Sequence, residues 1–527
     1  MPLYLGLDCS TQSLSAVVIE VDGDRRRIVF QHALNFDRDL PIYGTTAGVR
    51  RGEDPREVFA SPIMWAEALD RMMAVLATSA EVDIGQIRAI SGSAQQHGSV
   101  YLNRHARDTW RSLDHTRPLA PQLVGSFYRQ DSPVWMDDST TDECAAIDAA
   151  LGGPEATATL TGSRATERFT GPQIRKFHNR NRGAYAATMR IHLVSSYLAS
   201  LLVGGDAPVD TGDGSGMNLM DLRAGDWSSA ALDATAPGLR MRLPDVRPSW
   251  TIIGRLASFW RDRYSLPAAS VVAWSGDNPC SLIGTGVISE GRLAVSLGTS
   301  DTVFACTREP RAGASHVFGS PTGEFMSLVC FRNGSLAREL IRLEHGLDWP
   351  GFSRALETTP PGNAGGFMLP WLEPEITPHV RHAGIRRFGF SPGDAARDVR
   401  AMVEAQMMAL ANHSVAIAGD RVTRLVATGG GASNRPILQV MADVFGVEVY
   451  PLDVGNSACL GAALRAFHAD RLDGESPVSW HEVVRGFTDP RAEDRVAPVP
   501  ANVEVYAELR KRYADAEALH QERPPIG

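Results

Sequence analysis

Apolar residues in this chain fall into two kinds of run: short stretches rich in β-branched residues, and longer ones with a helical period. Residues 3–7 and 14–21 are the first pair of short runs, and they bracket the polar segment 8–13, which predicts a hairpin. A third strand over 28–36 extends the meander. Within 55–76, Ile63, Met64, Ala68, Leu69, Met72, Met73, Val75 and Leu76 recur at helical spacing, the face of an amphipathic helix turned to a core. Residues 87–91 read as a strand running into 92–98, 190–202 as a buried helix, and 270–274 as a buried strand. Gly276 and Pro279 stop that strand and turn the chain, so Asp277 and Asn278 stand at a strand's end.

The pattern of the opening hairpin returns downstream. A strand over 292–297, a tight polar loop over 298–302 and a return strand over 303–306 repeat it. Two such hairpins, one opening each half of the chain, suggest an internal duplication, each with a loop able to clamp phosphates. Further on, Val399, Met402, Val403, Met407, Leu410 and Ala411 share one helical face, read as core. Ser391 reads as the N-cap of that helix, with Pro392 at its first position. Next come a strand over 424–428, the glycine turn 429–434, and a helix through Ile437, Leu438, Met441 and Val444. A strand feeding glycines and then a helix N-terminus is a nucleotide-binding arrangement, although the spacing is not G-x-G-x-x-G. A strand over 447–450 leads to 456–461 and a small-residue helix, and the tail from Val503 is helical and charged.

Length and composition narrow the function classes. A chain of 527 residues exceeds one core and implies two large domains. A mean hydropathy of -0.14 and a hydrophobic share of 43% describe an ordinary globular protein. No apolar run reaches the length of a membrane span, and residues 1–8 lack the features of a signal peptide, so a cytoplasmic location is expected. The net charge of -9 carries no long block of one sign, which argues against a nucleic-acid partner. The six cysteines are scattered without zinc spacing and read as reduced thiols. Lysine occurs only at Lys176 and Lys511, neither in a Gly-Lys-Ser/Thr loop nor in a V-A-I-K strand, which excludes P-loop NTPases and protein kinases. The G-x-S-x-G match at 389–393 is not a nucleophile elbow, because Pro392 has no N–H for an oxyanion hole.

Candidate chemistry gathers at strand ends. Asp277 can accept a proton or orient a hydroxyl, and equally Asp-Asn before Pro279 is good Asx-turn chemistry. His97, between Gln96 and Gly98, suits hydrogen bonding to a polyol as well as it suits a structural role. Residues 133–138 end a strand with an aromatic and two carboxylates. The polar loop 160–171 carries Arg164 and Arg168, and the small residues of 213–218 allow close backbone approach.

In their order, these pieces resemble the FGGY carbohydrate kinases of the actin–hexokinase–Hsp70 superfamily, from about residue 3 to about residue 520. The resemblance rests on 5–12 (LGLDCSTQ), 96–98 (QHG), 275–279 (SGDNP), 296–300 (SLGTS) and the turn 429–434. Within the family, 36–41, 95–101, 133–137, 167–171, 214–219 and 333–336 look like the longer, animal-like members that act on D-xylulose. The resemblance implies an α/β fold of two actin-like (ribonuclease H-like) domains flanking a deep catalytic cleft, divided as 1–284 and 285–527. It implies ATP with Mg²⁺ and transfer of the γ-phosphoryl to the 5-hydroxyl of D-xylulose, by a monomer or homodimer. Carried over by position, Asp277 matches the base, and His97, Arg168 and Asn278 match sugar contacts. Gly429, Gly430, Gly431 and Asn434 match the adenosine turn; Thr11, Gly298, Thr299 and Ser300 fall in the two phosphate loops; and Asp8 matches the Mg²⁺ position. Trp349 resembles an aromatic near the nucleotide, and a core tryptophan is the other reading. Asp301 stands where many relatives have glycine, and the third glycine at Gly431 alters the turn. A kinase of ribulose, gluconate or glycerol, and a non-catalytic ATP- and sugar-binding regulator, are the alternatives.

Overall fold

The computed structural model describes residues 1–311, 315–418, 422–452, 456–474 and 477–522. They divide into two α/β units that are not successive halves of the chain. The first takes Met1–Gly286, Val317–Met326 and Asn456–Thr488, and the remaining described residues form the second.

In the first unit the predicted meander is present as β1 (Leu3–Cys9), β2 (Ser13–Asp22) and β3 (Arg25–Asn35), all antiparallel. β4 (Ile87–Ala94) lies parallel to β1, β5 (Ile252–Arg255) forms the edge, and β6 (Ser270–Val272) lies parallel to β4. The sheet order is β5-β6-β4-β1-β2-β3, and the short piece Ser275–Gly276 also pairs with β4. Helix Pro62–Thr78 supplies Trp65, Leu69, Met72 and Met73 to the core, beside Leu5, Leu7, Ile90 and Trp274. It starts later than the periodicity suggests, because Val58–Ala60 pairs into a small separate sheet.

The second unit repeats the motif. β7 (Arg292–Leu297) and β8 (Asp301–Thr307) form the second hairpin, β9 (Arg424–Thr428) lies parallel to β7, and β10 (Val449–Pro451) lies parallel to β9. The order β8-β7-β9-β10 matches β2-β1-β4-β6, the same hairpin-then-parallel arrangement that the two polar loops suggested. Helix Ala395–Ala418 buries Val399, Met402, Val403, Met407 and Leu410 in the second unit's core, packed against β8, as its stripe predicts.

Several local expectations change. Residues 190–202 are not one helix: Arg190–Leu193 is a strand antiparallel to Ser99–Leu102, and only Val194–Val203 is helical. An apolar run carries no period to separate the two, and strand pairing settles it. Thr170 and Gly171, read as loop, open helix Thr170–Arg180. Ser391 caps nothing. Asp394 does so instead, its carbonyl accepting from Asp398 N at 2.8 Å and its Oδ1 from Arg397 N at 3.2 Å. A carboxylate takes the cap over a hydroxyl three residues earlier because it also favours the positive end of the helix dipole. Asp277 lies not in a turn but at the first position of helix Asp277–Gly284. Among the described residues, no helix is long and apolar enough to cross a membrane.

Candidate active site

Strand register lines up the first cluster. Asp8 on β1 stands opposite Ser93 on β4, and Ser93 stands opposite Ser275, two residues before Asp277. The chain then leaves the sheet on both sides, into Gln95–Gln96–His97 from β4 and into helix Asp277–Gly284 from Ser275–Gly276. Gly276 is needed there: a Cβ on it would fall 2.4 Å from Gln96 Cγ. Asp277 Oδ1 accepts from Asn278 N at 2.8 Å and lies 3.2 Å from Asn278 Nδ2, which also donates to Gln96 Oε1 at 2.8 Å. Removal from water, and then the negative charge of Asp8, raise the Asp277 carboxyl to about 7.

His97 sits at φ +73°, buried, with Nδ1 donating to the Gly216 carbonyl at 2.7 Å. The ring stacks on Phe169 at 4.2 Å between centroids. The Arg168 guanidinium lies 6.0 Å from that Phe169 ring, and Thr170 Oγ1 donates to the His97 carbonyl at 2.9 Å. Phe169 therefore joins two residues that lie 71 positions apart in the chain.

Asp8 is buried. Ser10 donates to its Oδ2, its Oδ1 makes no hydrogen bond of good geometry, and burial raises its carboxyl. One orphaned carboxylate oxygen fits Mg²⁺, which takes one or two protein carboxylates and keeps several waters. Among the described residues no group of three or more metal-ligating side chains occurs. Thr11 Oγ1 accepts from Trp135 Nε1 at 2.8 Å, so the aromatic noted in 133–138 steadies the first loop.

The nucleotide-type residues gather in the second unit. Thr299 and Ser300 are exposed at the tip of the β7–β8 hairpin. The Gly298 carbonyl accepts from Ser335 N at 2.8 Å, and a Cβ on Gly334 would come 2.7 Å from Asp301 N, so helix Ser335–Glu344 starts directly under the loop. The glycine turn abuts the same hairpin. Gly429 has φ +81°, and a Cβ there would fall 2.7 Å from the carbonyl of Leu297, the last residue of β7. Gly431 is equally close to Leu297 Cβ, whereas Gly430 faces open space. Asn434 accepts from Ile437 N at 3.1 Å, capping helix Arg435–Phe445, and donates to Ser353 Oγ at 2.8 Å. Ser353 belongs to helix Trp349–Thr358, whose first residue, Trp349, is 44% exposed under the Arg342 guanidinium. Trp349 is thus a surface aromatic near the turn and not a core residue.

Asp301 closes the exposed loop as the first residue of β8. It is buried and holds Arg338 through two hydrogen bonds of 2.7 and 2.9 Å, while Arg338 also donates to Gln406 at 2.9 Å. Inspection of the sequence missed Arg338, Gln96 as the holder of Asn278, and Asp213. Asp213 is buried, accepts from Ser195 Oγ at 2.5 Å, and has its carboxyl raised by burial and by neighbouring Asp210. Gln96 stands in the QHG motif, but nothing in the sequence pairs it with Asn278; for Arg338 the readable signal is an arginine on the apolar side of helix Ser335–Glu344, beside Ala337 and Ile341.

The profile of the FGGY family of carbohydrate kinases, N-terminal domain, matches residues 130–284, and that of the C-terminal domain matches 293–469. The chain is 43% identical to the xylulose kinase of Mus musculus over 528 aligned residues, covering 97% of this chain and 93% of that one. It is 40% identical to xylulose kinase 2 of Arabidopsis thaliana, covering 88% and 87%. The crystal structure of xylulose kinase from Rhodospirillum rubrum superposes with a TM-score of 0.81 at 19% identity, covering 98% of each chain, a likeness of fold.

Proposed function

The chain belongs to the FGGY family of carbohydrate kinases, and on that footing we propose that it transfers the γ-phosphoryl group of ATP to the 5-hydroxyl of D-xylulose, with Asp277 as the base. Relatives named xylulose kinase align over nearly the whole chain, which makes it an enzyme of D-xylulose phosphorylation. Phosphoryl transfer asks for positioning, charge neutralisation and one proton acceptor. Asp277 takes the proton of the attacking hydroxyl as the oxygen–phosphorus bond forms. Asn278, held by Gln96, together with His97 and Arg168, binds the other oxygens of the sugar. The exposed Thr299 and Ser300, with the Gly298 backbone, meet the phosphates, and the open face at Gly430 receives the adenosine. Asp8 holds Mg²⁺, directly or through water; when bound, the ion screens the phosphate charge. Cys9, Cys144, Cys280 and Cys459 are buried thiols, which suits a reducing compartment, and we place the enzyme in the cytoplasm.

The observation that carries this reading is the meeting of Asp277, Asn278, Gln96 and His97 at adjoining strand ends, with the Asp277 carboxyl raised to about 7. A base must be deprotonated to act, so a raised carboxyl sets the acid limb of activity. kcat/KM in the free enzyme is expected to rise with pH through a midpoint near 7 and level off above it. A profile flat from pH 5 to 8 would show that no group governing the rate titrates there, and would count against Asp277 as the base. Substrate choice is read from ADP release over D-xylulose, D-ribulose, D-gluconate and glycerol at matched concentrations. D-Xylulose is expected to have the highest kcat/KM; a better rate with one of the others reassigns the sugar, and no sugar-dependent ADP from any of them points to a binding protein.

A further inference from the structure

We propose that Arg465 is a positioning residue for this reaction: its buried guanidinium ties together the backbone segments that carry Asp277 and His97. Arg465 lies on helix Ser457–Asp473 and is 1% exposed. Nη1 donates to the Gly92 carbonyl at 3.1 Å and to Cys280 Sγ at 3.4 Å. Nη2 donates to the Ala273 carbonyl at 2.6 Å and to the Ser249 carbonyl at 2.8 Å, and lies 3.9 Å from Asp210 Oδ2.

Each partner leads into the sugar-site cluster. Gly92 is on β4, five residues before His97; Ala273 is four residues before Asp277; and Cys280 is in the first turn of the helix that Asp277 opens. Ser249 donates its hydroxyl to Asp210, and Asp210 in turn accepts from Asp213 N at 2.8 Å. The backbone packing agrees. A Cβ on Gly461 would fall 1.9 Å from the Cys280 carbonyl, and one on Gly284 would fall 1.9 Å from the Ser457 carbonyl, so the two helices touch backbone to backbone.

A buried guanidinium is costly, and its ion-pair partner here, Asp210, stands as far off as 3.9 Å. Three carbonyls and a thiol take its hydrogens instead. A planar fork meets several carbonyls from different segments at fixed angles, which the single ammonium of lysine does not. The fork therefore fixes the spacing between β4 and the Asp277 helix.

The inference rests on Asp277 being the base, and the experiment separates the two. The full chain is prepared as R465K and R465Q, with ATP binding by calorimetry used to count competent molecules and a thermal melt used to set the assay temperature. R465K is expected to lose about 10- to 100-fold in kcat per ATP-binding site, since small misplacements of reacting groups cost that much. Its ATP Kd should stay within about 2-fold and its KM for D-xylulose should rise. A kcat per ATP-binding site within about 2-fold of the parent overturns the proposal, because a purely structural role lowers the melt without slowing competent molecules. Should both variants melt below the assay temperature, C280V and C280S decide. Valine crowds the guanidinium and should lower kcat at least about 3-fold at unchanged ATP Kd, while serine, still an acceptor, stays near the parent. Equal activity of the two overturns the proposal. An active D277N defeats the assignment of the base whatever Arg465 does; an inactive D277N with a normal R465K defeats the positioning role alone.

Discussion

Asp277→Asn is expected to lower kcat by at least about 10²-fold, the usual scale for a lost general base, while the Kd for ATP changes little. The amide has the size of the carboxylate and its oxygen can still accept from Asn278 N. What it lacks is a site for the proton of the attacking hydroxyl. Coupled ADP release at saturating sugar and ATP, with ATP binding measured separately, checks both halves. The acid limb near pH 7 should disappear from whatever activity is left. Turnover close to that of the parent would remove Asp277 from the mechanism.

Arg338→Met is the second large effect, and it falls on stability. Asp301 and Arg338 are both buried and joined by two hydrogen bonds. Removing only the arginine leaves a buried carboxylate without its counter-charge, which costs about 3–5 kcal/mol in such pairs. Replacing both partners is much milder, so Asp301→Asn with Arg338→Met should regain most of the loss. Urea unfolding of the parent, the single and the double variant measures this directly. ATP affinity should fall in the single and partly return in the double, because Asp301 follows the loop 298–300 immediately. A single variant as stable as the parent would mean that the pair contributes nothing.

The two hairpins, the glycine turn and the strand leading to Asp277 were legible because each is local. Strand alternation, a polar loop and glycine at a fixed offset are written in neighbouring residues. Other parts were not. The run 190–202 has no period to show that Arg190–Leu193 pairs with Ser99–Leu102. The cap at Asp394 was misplaced by three residues because a Ser-Pro pair gives the stronger sequence signal. Asp301, which stands where many relatives have glycine, is one half of a buried ion pair. Its partner lies 37 residues away on a different element, and no spacing rule connects them.

By itself, then, the sequence determined the duplicated α/β pattern, the exclusion of lysine-based phosphate loops, and the residue types able to do the chemistry, since these follow from composition and short-range order. Only the tertiary structure decided which of those residues meet. Strand register sets Asp8, Ser93 and Ser275 in a row, Phe169 brings Arg168 to His97, and a guanidinium from residue 465 reaches the carbonyls of residues 92, 249 and 273. Contacts of that kind depend on where the sheet places distant segments, and burial beside Asp8 is what raises the Asp277 carboxyl to about 7.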